Sequence, residues 1–314
     1  MEQNEESIKS LNLPIDITMQ RQIKSHVYYL EGPSGRFILK KKRKPGPRDS
    51  VAAKVLAFLD ISFQREIFIN RQMAEKSFSF FKAPKLVSSD GRDYMLFEYI
   101  SGIDASIKDL TKEEIACSLY EFQNSFMNPY ASLFDRIVSM GMKPISSLLR
   151  GILAIVLFQC GFDYARKALH AVKLSFRRQK PLKQAKLLHK DLRYDENYII
   201  SDKNELYLID FASVVTERRW IMLDLIDVSF DAERLEVDFS LIKEYHQQLA
   251  KTQDVNGEVD LKAQVRIALM RKLIYYMHRS KYSNEQKKAF KRFLCETVLD
   301  DDSYEKWFCR VAGE

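Results

Sequence analysis

Two short motifs hold the residues best suited to chemistry. The first, HKDLRYDENYII, carries His189, Asp191 and Asn197 ahead of a run that suits a strand, and the second, LYLIDFA, closes another such run with Asp210. Carboxylate and amide oxygens are the hard ligands a divalent cation takes, and an aspartate can also accept a proton from a hydroxyl. Each motif alone carries little weight, because Asp beside a strand is ordinarily a turn or cap residue. Their order carries more, since YII and LYLID flank the turn-like SDKNE and read as a β-hairpin joining the two motifs.

The elements around these motifs follow from pattern. HVYYL and RFILK flank EGPSG, whose Gly32, Pro33 and Gly35 favour a turn, which predicts a hairpin from about His26 to Lys41. The basic, Pro-broken loop KKRKPGPRDS follows, and then helix formers from Val51 to Glu75 with apolar positions at Phe63, Ile67, Phe68 and Met73. APKLVSSDGRDYMLFEYISG reads as strand, Asp-Gly turn and strand. From Thr111 to about Lys180 the pattern is helical, with breaks at Pro129, Gly141, Pro144 and Gly161, and helix returns from about Trp220 to the end. The class expected is α+β, with a small β-rich lobe over residues 1–101 and a mainly helical lobe over 102–314.

Composition bounds the alternatives. With 314 residues, 46% of them hydrophobic and 30% charged, the chain can bury a real core, which excludes disorder. Ten Gly and eight Pro with no internal period exclude fibres and repeat arrays. A net charge of +7 permits anionic partners without requiring them. Cys117, Cys160, Cys295 and Cys309 lie far apart without metal-ligand spacing, which points to a reducing compartment. MEQNEESIKS lacks the basic-then-apolar order of a signal peptide, and the uncharged run from Gly151 to Gly161 falls short of the ~18 to 20 residues of a membrane helix. A cytoplasmic location is expected.

The arrangement HKDLRYDENYII…LYLIDFA resembles the catalytic loop and metal-binding Asp of the protein-kinase-like phosphotransferases. That resemblance implies a bilobal fold with ATP in the cleft, Asp191 positioning or deprotonating an acceptor hydroxyl, and Asp210 and Asn197 holding Mg²⁺. The interval from Asp191 to Asn197 is one residue longer than the family pattern, so Asp195 and Glu196 stand beside Asn197 as ligand candidates. RFILK is similar to the family strand that ends in the phosphate-pairing Lys, which selects Lys40; alternation agrees, since Lys40 and Ile38 share a face and Lys41 points opposite. Glu66 in FQREIFINRQM matches the helix Glu that pairs with this Lys. FEYISG resembles the linker between lobes, so the backbone from Glu98 to Ile100 is expected to face adenine. No Gly-rich loop precedes the Lys strand; QIKSHV offers Lys24 and Ser25 to the phosphates instead.

Only fourteen positions separate Asp210 from Asp224 and no A-P-E follows, so the segment that presents peptides in protein kinases is reduced or missing. A sugar, glycolipid or other small metabolite gains weight as acceptor. ERRWIMLDLIDVSF is similar to a stretch of the lipopolysaccharide (Kdo and heptose) kinases and, more loosely, of aminoglycoside phosphotransferases. By that likeness Asp224 would buttress the catalytic loop around His189, and Trp220 and Leu223 would lie in a helix core. A compact RIO-like protein kinase and a non-catalytic pseudokinase remain as alternatives. From Arg166 to Lys190 there are nine Lys or Arg and no acidic residue, which reads either as a solvated helix face or as a peripheral contact with an anionic membrane surface. Phe176 is the one aromatic residue interleaved there, too little for nucleic-acid stacking, so no nucleic-acid partner is expected. Oligomeric state is not legible.

Overall fold

The computed structural model describes residues 8, 11–24, 26–42, 61–104, 110–125, 156, 160–182, 186–190, 192, 197–211, 214–251 and 259–313. The chain divides into two compact units, one formed by Met1–Ile103 and Ile199–Ala212 and the other by Asp104–Tyr198 and Ser213–Glu314.

The first unit is built on a five-stranded antiparallel sheet of β1 (Met19–Lys24), β2 (Val27–Gly32), β3 (Gly35–Lys41), β4 (Leu86–Ser89) and β5 (Tyr94–Glu98), in the order β1-β2-β3-β5-β4. Helix α1 (Ile61–Ala74) packs on one face. Alternation along β3 explains the layering: Phe37 and Leu39 bury with Ile8, Tyr28, Leu30, Tyr94 and Leu96 on one side, while Ile38 packs with Phe63, Ile67, Met95 and Phe97 on the other. A one-residue slip would exchange these sets, so the two cores fix the register. The turn between β4 and β5 is set by Asp90, whose carboxylate accepts the backbone N–H groups of Arg92, Asp93 and Tyr94, with Gly91 at φ 77°.

A second, three-stranded sheet joins β6 (Gly102–Asp104) to the hairpin β8 (Tyr198–Ser201) and β9 (Leu206–Leu208). Gly102 permits this pairing, because a Cβ there would collide with the Ile200 carbonyl and Ser201 backbone. The SDKNE turn lies between β8 and β9, as the sequence pattern predicts. Strand β1 departs from the reading of QIKSHV as a loop: Gln22 and Lys24 pair with Tyr28 and Val27 of β2 at the sheet edge, with a bulge between them.

The second unit is helical: α2 (Lys112–Asn124), α3 (Phe162–Arg178), α4 (Leu223–Ser229), α5 (Phe239–Lys251), α6 (Leu261–His278), α7 (Asn284–Phe293) and α8 (Asp301–Ala312). Capping boxes start α2 at Thr111 and α7 at Ser283. Helix α6 is buried on nearly every side, from Ala263 to Met277, which marks it as the central helix of the unit. Two short ladders interrupt the helices, β7 (Lys186–Leu188) with β10 (Val215–Glu217) and β11 (Phe230–Asp231) with β12 (Glu236–Val237). The latter corrects the expectation of helix from Trp220 onward. The Asp231 carboxylate accepts the N–H groups of Glu233 and Arg234 and Leu235 takes φ 56°, so the chain turns where its composition would allow a helix.

Candidate active site

In the first unit, strand alternation and helix spacing converge on one cation. Lys40 continues the Ile38 face of β3, and Glu66 lies on α1 between Phe63 and Ile67, the residues that pack against Ile38. The Lys40 ammonium donates to Glu66 Oε1 and, at 2.8 Å, to Asp210 Oδ1. Asp210 follows β9 at φ 62°, and β9 is held by a parallel bridge in which Lys82 N–H donates to the Leu206 carbonyl and Leu208 N–H to the Lys82 carbonyl. The side chains of Lys40 and Glu66 are 15% and 5% exposed and that of Asp210 is 40% exposed, so one carboxylate is buried as an anchor and the other opens to solvent. Burial disfavours the Lys40 charge, but the Glu66 and Asp210 carboxylates outweigh it and hold the pKa above the usual lysine value.

Lys24 ends β1 opposite Val27, and Val27 pairs with Lys40, so Lys24 lies at the same end of the sheet as Lys40, two strands away and exposed. Ser25 lies outside the described residues. Along the expected adenine-facing segment, Glu98 N–H donates to the Lys85 carbonyl and Tyr99 N–H to the Arg36 carbonyl, both at 3.1 Å. These two donors are therefore committed within the unit, and Ile100 follows them, half-buried.

In the second unit, Asp224 grips the approach to the candidate catalytic loop. Its carboxylate accepts the backbone N–H of His189 at 2.7 Å and of Lys190 at 2.8 Å. His189 is fully buried with its ring 5.9 Å from that of Phe122. Burial pushes the Asp224 carboxyl up to about 6, against the opposing pull of these two N–H groups. The carbonyl of Lys190 takes a hydrogen bond from Arg271 Nη2 at 3.0 Å, and Arg271 Nη1 reaches Asp227 at 2.8 Å. Lys272 completes the cluster, donating to the Asp227 carbonyl and pairing with its carboxylate at 3.1 Å. Burial would raise the Asp227 pKa, but Arg271 and Lys272 hold it below the usual carboxylate value. Lys190 itself has φ 65°, an unfavourable conformation for a side-chain-bearing residue that these three hydrogen bonds stabilise.

Asp191, Asp195 and Glu196 lie outside the described residues. Asn197 stands half-buried at φ 75° directly before β8. Trp220 and Leu223 are each 1% exposed. Asp227, Arg271 and Lys272 were not among the residues singled out from sequence; the available signal was two adjacent cations inside the otherwise apolar run from Ile267 to Met277.

No family model matches the sequence, and no curated protein matches it significantly. Solved structures do match. Spectinomycin phosphotransferase in its AMP-bound complex shares 14% identity at a TM-score of 0.57, covering 95% of this chain and 96% of that one. Choline kinase LicA from Streptococcus pneumoniae shares 16% at 0.51, covering 95% and 98%. An ethanolamine kinase from Plasmodium vivax shares 13% at 0.59, covering 96% and 87%. With a β-sheet region followed by a helical one, and with this likeness running over almost its whole length, the chain has the protein-kinase-like fold found in small-molecule phosphotransferases.

Proposed function

We propose that the protein is an ATP-dependent phosphotransferase that moves the γ-phosphate to a hydroxyl of a sugar, glycolipid or other small metabolite. The observation that carries this reading is the Lys40 ammonium held between buried Glu66 and solvent-open Asp210. Such a cation is fixed in place and kept charged, which suits it to neutralise phosphate oxygens. Among the described residues no three His, Cys, Asp or Glu gather into a cage. Mg²⁺ is bound through one or two carboxylates plus substrate phosphates. Asp210 would hold the ion, together with Asn197 or a neighbour from Asp195 and Glu196, and the bound ion supplies charge neutralisation across the phosphates. Asp191 would accept the acceptor's hydroxyl proton as the new P–O bond forms and the γ-phosphorus bond to the ADP leaving group breaks, and Asp224 and Arg271 hold the backbone of Lys190 that precedes it.

The neighbours are phosphotransferases of spectinomycin, choline and ethanolamine, which supports a small acceptor over a protein. A glycolipid acceptor at an anionic surface draws support from α3. At 100° per residue, Phe162, Arg166, Leu169, Lys173 and Arg177 fall within about 80° on one side, all exposed, opposite the buried Ala168, Ala171, Val172 and Ser175. No helix of the described residues is long and apolar enough to cross a membrane, so the contact would be peripheral. Most of the Gly151 to Gly161 run lies outside the described residues.

The test is a Mg²⁺-dependent ATPase and transfer assay with labelled ATP against a lysate fractionated into glycolipid, small-molecule and protein pools. Label in protein alone would favour the RIO-like alternative. Absence of nucleotide binding by the wild-type chain would favour a pseudokinase.

A further inference from the structure

Cys160 and Cys295 lie far apart in the chain, yet the second unit brings their side chains together. Cys160 stands two positions before α3 and is half-buried. Cys295 is 5% exposed and lies in a π-helical turn, Leu294–Val298, between α7 and α8. Its thiol donates a hydrogen bond to the Cys160 sulfur. Two further contacts set the same alignment: Lys167 Nζ lies 3.2 Å from Asp300 Oδ2, and His170 Nε2 lies 3.1 Å from Asp301 Oδ2. Moving along α3 from Cys160 to His170 therefore moves along the facing chain from Cys295 to Asp301, and the thiol contact is one end of that seam. Cys295 owes its place to the wide turn, in which the Leu299 N–H donates to the Leu294 carbonyl at 2.9 Å. Such π turns are rare and occur frequently at functional sites.

The two thiols are not equivalent. The hydrogen bond from Cys295 holds the Cys160 thiol below the usual thiol range, and the Lys291 charge on α7 adds to this against the opposing effect of burial. The same hydrogen bond, followed by burial, pushes Cys295 above that range. A thiolate is the attacking form of cysteine, so Cys160 is the nucleophile and Cys295 the group that reacts second. Neither residue belongs to the candidate active site, and their chemistry needs no phosphotransfer.

We propose that Cys160 and Cys295 form a peroxide-responsive modification site, at which hydrogen peroxide converts the two thiols to a reversible disulfide. In the first step the Cys160 thiolate attacks one peroxide oxygen: an S–O bond forms, the O–O bond breaks, and the departing hydroxide takes the proton Cys160 has released, giving water and a sulfenic acid. In the second the Cys295 sulfur attacks the Cys160 sulfur: the S–S bond forms, the S–O bond breaks, and the leaving hydroxide carries off the Cys295 proton as a second water. Two electrons pass from the thiols to the peroxide. A disulfide of this kind is transient in a reducing compartment, where thiols are restored by exchange.

The test treats the full chain with a small excess of hydrogen peroxide, blocks the remaining thiols with N-ethylmaleimide under denaturing conditions, and reads intact mass and a peptide map. Of the four cysteines, Cys117 and Cys309 should stay reactive, the map should show a cross-link between Cys160 and Cys295 within one chain, and dithiothreitol should return all four thiols. These measurements use wild type, so they need no variant to fold. Cys295→Ser should stop at the sulfenic acid, which dimedone labels at Cys160, and Cys160→Ser should give neither label nor cross-link. Four reactive thiols in peroxide-treated wild type, a cross-link through Cys117 or Cys309, or dimedone on a residue other than Cys160 in Cys295→Ser would each overturn the proposal.

Discussion

Lys40 Nζ and Asp210 Oδ1 stand 2.8 Å apart although 170 positions separate them in the chain. The contact ties the end of β3 to the second residue beyond β9, and Glu66 completes it from α1. Lys40→Met should remove the cation paired with the buried Glu66 carboxylate and cost roughly 3 kcal/mol of stability, while lowering kcat/KM for ATP by at least about tenfold. Lys41→Met should do neither. A larger effect at Lys41 than at Lys40 would show the strand register to be wrong.

Glu66→Gln should also lower activity, and the double variant with Lys40→Met should lose less than the sum of the two, since the residues act as one unit. A double-mutant cycle on kcat/KM reads this directly. Full additivity would mean that the pair does not work together.

Asp224 titrates in an unusual direction. Its folded pKa of about 6 lies above the ordinary value of 3.8, so between those values the folded state binds the extra proton. The stabilisation from this group is full below pH 3.8 and is lost as pH rises through about 6. Asp224→Asn does not titrate, so its stability relative to wild type should improve by about 2 to 3 kcal/mol between pH 4 and pH 7. Denaturant unfolding across that range checks it. A relative change of opposite sign would place the folded pKa below the ordinary value.

Arg271 contacts both Asp227 and the Lys190 carbonyl, and under the proposed function it would be a positioning residue for the loop that leads to Asp191. Arg271→Ala should lower kcat by about 10- to 100-fold through displacement of that loop, with KM for ATP unchanged. Arg271→Lys should not rescue, because one ammonium cannot reproduce the guanidinium fork. A rise in the KM for ATP with constant kcat would contradict this role.

Much of the first unit was legible in the sequence. RFILK alternates cleanly because both faces of β3 are buried against separate cores, and the SDKNE turn announces the β8–β9 hairpin. Strand β1 was hidden because MQRQIK is an edge strand, almost wholly exposed, held by backbone pairing to β2 rather than by an apolar pattern. The β11–β12 hairpin was hidden for another reason: DAERL favours helix locally, and the turn is imposed by the Asp231 side chain and the left-handed Leu235. Of the site, Lys40, Glu66 and Asp210 could be found by motif, whereas the partners of Arg271 and Lys272 lie 44 and 45 positions away at Asp227, a distance that only the packing of α4 against α6 determines.

The exposed stripe on α3 should matter if the acceptor is membrane-bound. Wild type should sediment with vesicles in proportion to their anionic lipid, and less so as salt screens charge over ~8 to 10 Å. Replacing Arg166, Lys173 and Arg177 together by Ala should abolish that binding without changing the melting temperature. Sedimentation indifferent to lipid charge and salt would make the stripe an ordinary solvated face.

The central claim is tested most directly by Asp210→Asn assayed for Mg²⁺-dependent ATP turnover beside wild type, with circular dichroism and melting temperature measured on both. Asp210 is 40% exposed, so the fold should survive the substitution. The account predicts metal-dependent turnover in wild type and its loss in the folded variant; wild-type turnover in Asp210→Asn would contradict it.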